Sequence, residues 1–505
     1  MEPSWFQQLS AHPFSLLFLF CTSLLLLQIV RLYQKRRTLL KALHLFPGPP
    51  AHWLYGHNQF YPKKEFEKLG ELVAKYPGAV PLWNGPFVVF FITYDPEYAK
   101  MLLSRKDPKT TLSHKFIESW VGQGLVTLSG LRWQQHRKIM KFGFNINILK
   151  LFITMMCEHV HVMLDKWEKL TAQDPHLEIS EHISMMTLDT IMKCAFSHKG
   201  SIQTDRTLSF YLEATFNLSN LTFQRVYNIL YHNDLIFKLT SAGQVFSKSN
   251  QVVHQYTEKV IQDREDMLKN DQKQDTTQKR YNDFLDILLS ARSENRKDFS
   301  SADVMAEVKT FMFAGHDTTS SAISCILYCM AKYPEHQQRC RDEVRELLGD
   351  GSSITWDHLN QMPYTTMCIK EALRIYPPIP MVSRKLSEPI TFPDGRSLPA
   401  GIAVFLSIWA LHRNPTVWED PQVFNPLRFS KENSEKRHPY AFLPFSAGHR
   451  NCIGQHFAMI ECKVALALIL LRFELTLDHS RPPIFIRQIA LKAKNGIHVF
   501  LKKIC

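Results

Sequence analysis

At 505 residues the chain is long enough for one large core or several domains, and its 45% hydrophobic and 21% charged residues are ordinary for a folded protein. No repeat of fixed period runs along it, which excludes a solenoid or propeller. The formal charge of +13 is not gathered into an aromatic-interleaved basic stripe, which argues against nucleic acid and for a membrane surface or an acidic protein partner.

The apolar run from Phe14 to Val30 spans 17 residues, enough for a short membrane-crossing helix. No basic stretch precedes it and no small-residue cleavage site follows it, so it reads as an anchor rather than a cleaved signal. Arg31, Lys35, Arg36, Arg37 and Lys41 come directly after it. By the positive-inside rule they put the bulk of the chain in the cytoplasm. The expected division is 1–37 for the anchor and its basic flank, 38–56 for a proline-rich hinge around Phe46-Pro-Gly-Pro-Pro50, and 57–505 for one large domain. Val80 to Trp83, Asn84-Gly85 and Phe87 to Ile92 read as a β-hairpin with an Asn-Gly turn. Asp95-Pro96 then caps a helix. From about 97 to 380 helical patterns dominate, with a hydrophilic surface loop expected at Leu268 to Arg280. A long helix is predicted from Asp303 to Lys332, between Ser300-Ser301 and Pro334. Strand and turn signals, among them Pro393-Asp394-Gly395, fill the stretch from 384 to 450. The expected fold is mainly α, one helical domain with small edge sheets. None of the ten cysteines stands in a C-x-x-C pair, and Cys325 and Cys329, one helical turn apart, read as small buried hydrophobes in a reducing compartment.

The segment Phe445-Ser-Ala-Gly448-His-Arg450-Asn-Cys452-Ile-Gly454 carries the chemistry. A thiolate bound to heme iron pushes electron density toward bound oxygen and favours O–O cleavage. Such a ligand needs a protected loop, peptide N–H groups near the sulfur, and glycines where backbone approaches the macrocycle. Cys452 stands just before a predicted apolar helix, whose positive end favours the thiolate. Phe445 can shield the sulfur and Arg450 can reach a propionate. Five fixed identities match by chance on the order of 10⁻⁴ times in a chain this long.

On this loop the chain resembles the cytochrome P-450 superfamily. With the N-terminal anchor, the proline hinge and Asp420-Pro-Gln-Val-Phe-Asn-Pro-Leu-Arg428-Phe429, it is similar to the mammalian microsomal family-four fatty-acid hydroxylases. The resemblance implies the P-450 fold, a heme b with Cys452 as axial ligand, and a catalytic domain on the cytoplasmic face of the endoplasmic reticulum membrane. It implies NADPH as electron source through a flavoprotein reductase, with a small heme electron donor as a second partner. Membrane lipid and a fatty-acid substrate complete the expected partners. Lys436, Arg437, Arg132 and Lys138 are candidate basic contacts for the reductase.

Ala314-Gly315-His316-Asp317-Thr318-Thr319 falls in the middle of the long helix. The resemblance makes Gly315 part of a local distortion that opens a groove for oxygen, and Asp317 and Thr318 an acid–alcohol pair relaying protons. Many family-four relatives carry at position 314 a glutamate esterified to a heme methyl; Ala314 has no carboxylate, so heme not covalently attached there is expected. Glu371-Ala-Leu-Arg374 pairs its ends on one helix face and resembles the buried pair that, with Arg428, locks the heme-side core. Leu427 departs from the acidic residue usual before that arginine. Trp133-Gln-Gln-His136-Arg137 resembles a helix whose Trp and Arg contact heme propionates, and Arg384 is a third candidate. Phe116, Trp120, Leu125, Phe311, Ile379 and Met381 are expected to line an apolar substrate cavity. The implied reaction inserts one oxygen atom from O₂ into a C–H bond at or near the end of a fatty acid. Two alternatives stand beside it, a heme-thiolate isomerase of lipid peroxides and a non-catalytic heme sensor.

Overall fold

The computed structural model describes residues 13–57, 65–86, 88–109, 111–198, 200–205, 209–273, 283–294, 299–349 and 353–504. In chain order the elements begin with α1 (Pro13–Leu43), α2 (Glu65–Lys75), β1 (Ala79–Asn84), β2 (Val88–Thr93), α3 (Pro96–Ser104), α4 (Thr111–Val121), α5 (Gly130–Lys141) and α6 (Ile146–Thr171). They continue through β3 (His176–Glu178), α7 (Ser180–Phe196), α8 (Ser209–Tyr227), α9 (Asp234–Leu239), α10 (Ser241–Lys273), α11 (Phe284–Glu294), α12 (Ser301–Lys332), α13 (Pro334–Leu348) and α14 (Trp356–Asn360). The last third holds α15 (Pro363–Ile375), β4 (Met381–Lys385), β5 (Ile390–Thr391), β6 (Ser397–Leu398), β7 (Ala403–Ser407), α16 (Ile408–Leu411) and α17 (Lys431–Glu435). It ends with α18 (Gln455–Arg472), β8 (Phe473–Leu477), β9 (Phe485–Arg487), β10 (Leu491–Ala493) and β11 (His498–Lys503).

Helix α12 is the axis of the molecule. Ser300 accepts from the Asp303 N–H while the Asp303 carboxylate takes the Ser300 N–H, a capping box that starts the helix where the sequence places it. Almost every residue from Asp303 to Ala331 is buried, because α7, α18, α15 and β8 pack against it within one large helical core. Gly315 has a packing reason: a Cβ there would lie 2.8 Å from Ile191 on α7. The helix is continuous through this point, and Gly315 permits a close helix–helix approach there. Cys325 and Cys329 are both buried on this helix.

A four-stranded sheet of order β1-β2-β7-β4 builds a second core. β1 and β2 pair antiparallel from Ala79↔Thr93 to Asn84↔Val88, so the hairpin loop has three residues rather than two, with Gly85 at φ +67; Phe87 lies outside the described residues. β2 runs parallel to β7, and β7 antiparallel to β4. Asp95 caps α3 by accepting from the Glu97 and Tyr98 N–H groups, as its sequence requires. Helix α1 does not end at the basic flank but continues to Leu43, and Leu39, Leu43 and Phe46 are buried in the sheet core. The stretch expected as a loop from Leu268 begins instead as the end of α10, which reaches Lys273; 274–280 lie outside the described residues. Leu16–Leu43 is long and apolar enough to cross a membrane.

Candidate functional site

Between α12, the sheet and α18 lies a cavity of about 1320 Å³, with Cys452 in its lining. The loop before α18 sets the cysteine. Its N–H donates to the Phe445 carbonyl at 3.0 Å, and Gly448, at φ +73, lets the backbone pass where a Cβ would lie 2.1 Å from the Leu103 carbonyl oxygen. α18 starts at Gln455, three residues beyond the cysteine. Burial pushes the thiol pKa up, while the Gly454 N–H and the charges of Arg137 and Lys109 pull it back. Phe445, Arg450 and Gly454 line the cavity with it.

Four cations gather near the cysteine. Arg450 stacks over the Trp133 ring at 4.5 Å and donates to the Leu128 carbonyl. Arg137 donates to Asn451 at 3.0 and 2.8 Å, which ties α5 to the cysteine loop. Arg384 donates to the Ser383 carbonyl at 2.9 Å. The fourth, Lys109, donates to the Val126 carbonyl at 2.9 Å; burial and the charges of Arg450, Arg384 and Arg137 push it down to about 7. Its place just after Asp107-Pro108 carries no signal that sequence reasoning could have used. The Nε atoms of Arg384 and Arg450 are buried without a partner, which is costly unless an anion completes the site. A cysteine sulfur in a glycine-bearing loop, apolar walls and this crowd of cations fit a planar iron-bearing group with two carboxylates, that is, heme.

Ala314 and Thr318 line the cavity on one face of α12. The Thr318 hydroxyl donates to the Ala314 carbonyl at 2.8 Å. Asp317 turns elsewhere: its carboxylate accepts from Lys492 on β10 at 2.6 Å. The two expected relay residues are therefore adjacent but not bonded to each other. Phe311, Ile379 and Met381 line the cavity. Phe116, Trp120 and Leu125 do not. Phe116 packs under the Arg225 guanidinium at 4.2 Å, Trp120 stands edge-on behind Phe313, and the Leu125 N–H donates to Glu307. All three are apolar side chains spent on the layer behind the wall.

Glu371 and Arg374 are fully buried and paired at 2.7 and 2.8 Å. Arg428 reaches the same carboxylate at 3.5 Å from the rim. A second buried tie escaped the sequence: His136 on α5 meets Glu307 on α12 at 2.6 Å. Of the candidate reductase contacts, Arg132 is paired with Asp303 and Lys436 with Glu432, and Arg437 stacks on Trp418; these three have partners within the chain. Also on the cavity lining, Arg487 pairs with Glu65 at 2.6 Å and donates to the Tyr227 hydroxyl.

Comparison with known proteins agrees with this geometry. The family model for Cytochrome P450 matches residues 46–500. The chain is 71% identical over 505 residues to Cytochrome P450 4Z1 of Homo sapiens, covering 100% of each. It is 54% identical over 505 residues to Cytochrome P450 4X1 of Rattus norvegicus, covering 100% of this chain and 99% of that one. To Cytochrome P450 4A11 of Homo sapiens it is 53% identical over 485 residues, 95% of this chain and 93% of the other. Cysteine loop, cation cluster and relatives agree, and the chain belongs to the cytochrome P450 family, alongside its family-four members.

Proposed function

We propose that this P450 is a membrane-anchored hydroxylase of fatty acids, acting at or near the chain terminus with electrons from NADPH through a flavoprotein reductase. The observation that carries the reading is the large, mostly apolar cavity that Cys452, Ala314, Phe311 and Ile379 line together, with room for a long hydrocarbon. Resemblance to the family-four fatty-acid hydroxylases supports the substrate class. Helix α1 would hold the protein at the endoplasmic reticulum membrane with its main domain, from about residue 57, on the cytoplasmic side.

Cys452 would bind the iron through its sulfur, and Trp133, Arg137, Arg384, Arg450 and Lys109 would hold the propionates. Bound there, heme supplies the activation of O₂ and the insertion of one oxygen atom into a C–H bond. The residues of this chain do the rest. Phe445 and the Gly454 N–H shelter the sulfur. Ala314, Phe311, Ile379 and Met381 confine the chain and exclude water. Thr318 holds a hydroxyl proton on the cavity face, and Asp317, once it has left Lys492 and taken up a proton from water, can pass that proton on to it. Ala314 leaves no carboxylate to tether the heme.

Purified protein with reductase, NADPH and a panel of fatty acids, followed by product mass spectrometry, tests this. Hydroxylated acids that require O₂ and NADPH are the expected products. The pairing of Asp317 with Lys492 rather than Thr318 favours a second reading, an isomerase of lipid peroxides, which needs no proton relay. Rearrangement of a lipid hydroperoxide without NADPH, and no product with it, would establish that reading instead.

A further inference from the structure

Six cations border the cavity: Lys35, Lys109, Arg384, Lys385, Arg450 and Arg487. Lys109, Arg384 and Arg450 belong to the cluster around Cys452, and Lys385 follows Arg384 on β4. Arg487 already has a carboxylate, that of Glu65 at 2.6 Å. Lys35 differs from all of these. It stands on α1, exposed, with no ion-pair partner among the described residues. Thr38 and Leu39 of the same helix border the cavity beside it.

The anchor helix is therefore also a wall. Its last turns are fixed to the main domain, because Leu39 and Leu43 are buried with Phe46, whose ring meets Phe91 at 4.7 Å. Its earlier turns are the exposed apolar run, with Leu24, Leu25, Leu26 and Ile29 all open to the surroundings. Lys35 lies five residues past the end of that run at Val30, about 8 Å further along the helix. That is headgroup depth if the run spans the hydrocarbon.

We propose that the end of α1 forms the lipid entrance to the cavity and that Lys35 captures the carboxylate of a long-chain acid there. The proposal rests on the fatty-acid reading above and adds a residue and a direction of entry to it. An ionised carboxylate is costly to bury without a partner, and the interior cation Arg487 is already neutralised. The head group is held first at Lys35, where water and membrane interface meet, and the hydrocarbon end leads toward Cys452. Entry in this sense presents the far end of the chain to the reacting centre.

The test uses the full chain with reductase in phosphatidylcholine vesicles, with dodecanoate and methyl dodecanoate as paired probes. Lys35→Gln is expected to raise KM for dodecanoate about two- to fivefold, the range of an exposed ion pair, and Lys35→Glu to raise it further. The values of kcat, and KM for the methyl ester, stay as in the wild type. Lys41→Glu, on the same helix but outside the cavity lining, controls for membrane charge and leaves both substrates unaffected. Equal effects of Lys41→Glu and Lys35→Glu, or parallel shifts for acid and ester, overturn the proposal. Silent Lys35 variants beside an acid-specific rise in KM for Arg487→Gln also overturn it, placing capture at β9. A wild type that shows a normal thiolate-type carbon monoxide band yet oxidises neither probe overturns the fatty-acid reading, and this entrance with it.

Discussion

Removing the Arg374 side chain tests how the cysteine end of the molecule is held. Its guanidinium makes two bonds to Glu371 and donates to the carbonyls of His412 and Pro421 at 2.8 Å and of Val423 at 3.2 Å. Both partners of the ion pair are 0% exposed. Arg374→Ala leaves the Glu371 carboxylate with the Asn425 N–H at 2.9 Å and Arg428 at 3.5 Å. Breaking a buried pair from one side costs about 3–5 kcal/mol. Each of the three carbonyls adds about 1 kcal/mol or more where water cannot replace the donor. The sum is comparable to the whole stability of a typical domain, about 5–15 kcal/mol. The expected outcome is polypeptide without the thiolate-type band of the reduced carbon monoxide complex. Arg428→Ala is the internal comparison. Arg428 is at the edge of the same site, so its loss should cost about 1 kcal/mol and lower Tm by less than about 4 °C, with the band retained. An Arg374→Ala holoprotein that melts within a few degrees of the wild type would refute the reasoning, as would equal damage from Arg428→Ala.

Three further outcomes are expected. Acid and organic solvent should extract unmodified heme from the wild type, and Ala314→Glu should retain some heme on the denatured chain after turnover and raise the terminal fraction of products; heme analysis and product ratios check this. Lys109, held down to about 7 by burial and its cationic neighbours, is stabilised in its charged form by a bound anion, so heme binding takes up a proton. Apoprotein affinity for heme should fall as pH rises through about 7, and Lys109→Met should flatten that dependence and weaken binding on the acid side, read by spectral titration. Deleting residues 1–30 should release much of the protein from membranes with heme binding intact, leaving weak attachment through the exposed Ile229, Leu230, Leu235 and Leu239. Deleting through Phe46 removes three buried side chains from the sheet core, at about 2–5 kcal/mol each, and should destabilise the domain in a melting experiment.

Features that depend on neighbours along the chain were legible in the sequence. The Cys452 loop, the Glu371–Arg374 pair three residues apart, the start of α12 after Ser300-Ser301 and the Asp95-Pro96 start of α3 each use a geometry that one turn or one helix supplies. The apolar run of α1 and the mainly helical pattern follow from periodicity alone. What required the tertiary structure are contacts closed across long loops, where side-chain direction depends on how distant elements pack. Asp317 and Thr318 are adjacent in sequence, yet β10 draws the carboxylate to Lys492 while the helix backbone takes the hydroxyl. Lys109 joins Arg137, Arg384 and Arg450 only because the loop after α3 is folded against the cysteine loop. Phe116, Trp120 and Leu125 are as apolar as the residues that do line the cavity, so hydrophobicity could not separate the wall from the layer behind it. Helix α1 shows both limits at once: composition marks it as an anchor, but packing of Leu39, Leu43 and Phe46 against the sheet is what makes its end a border of the cavity.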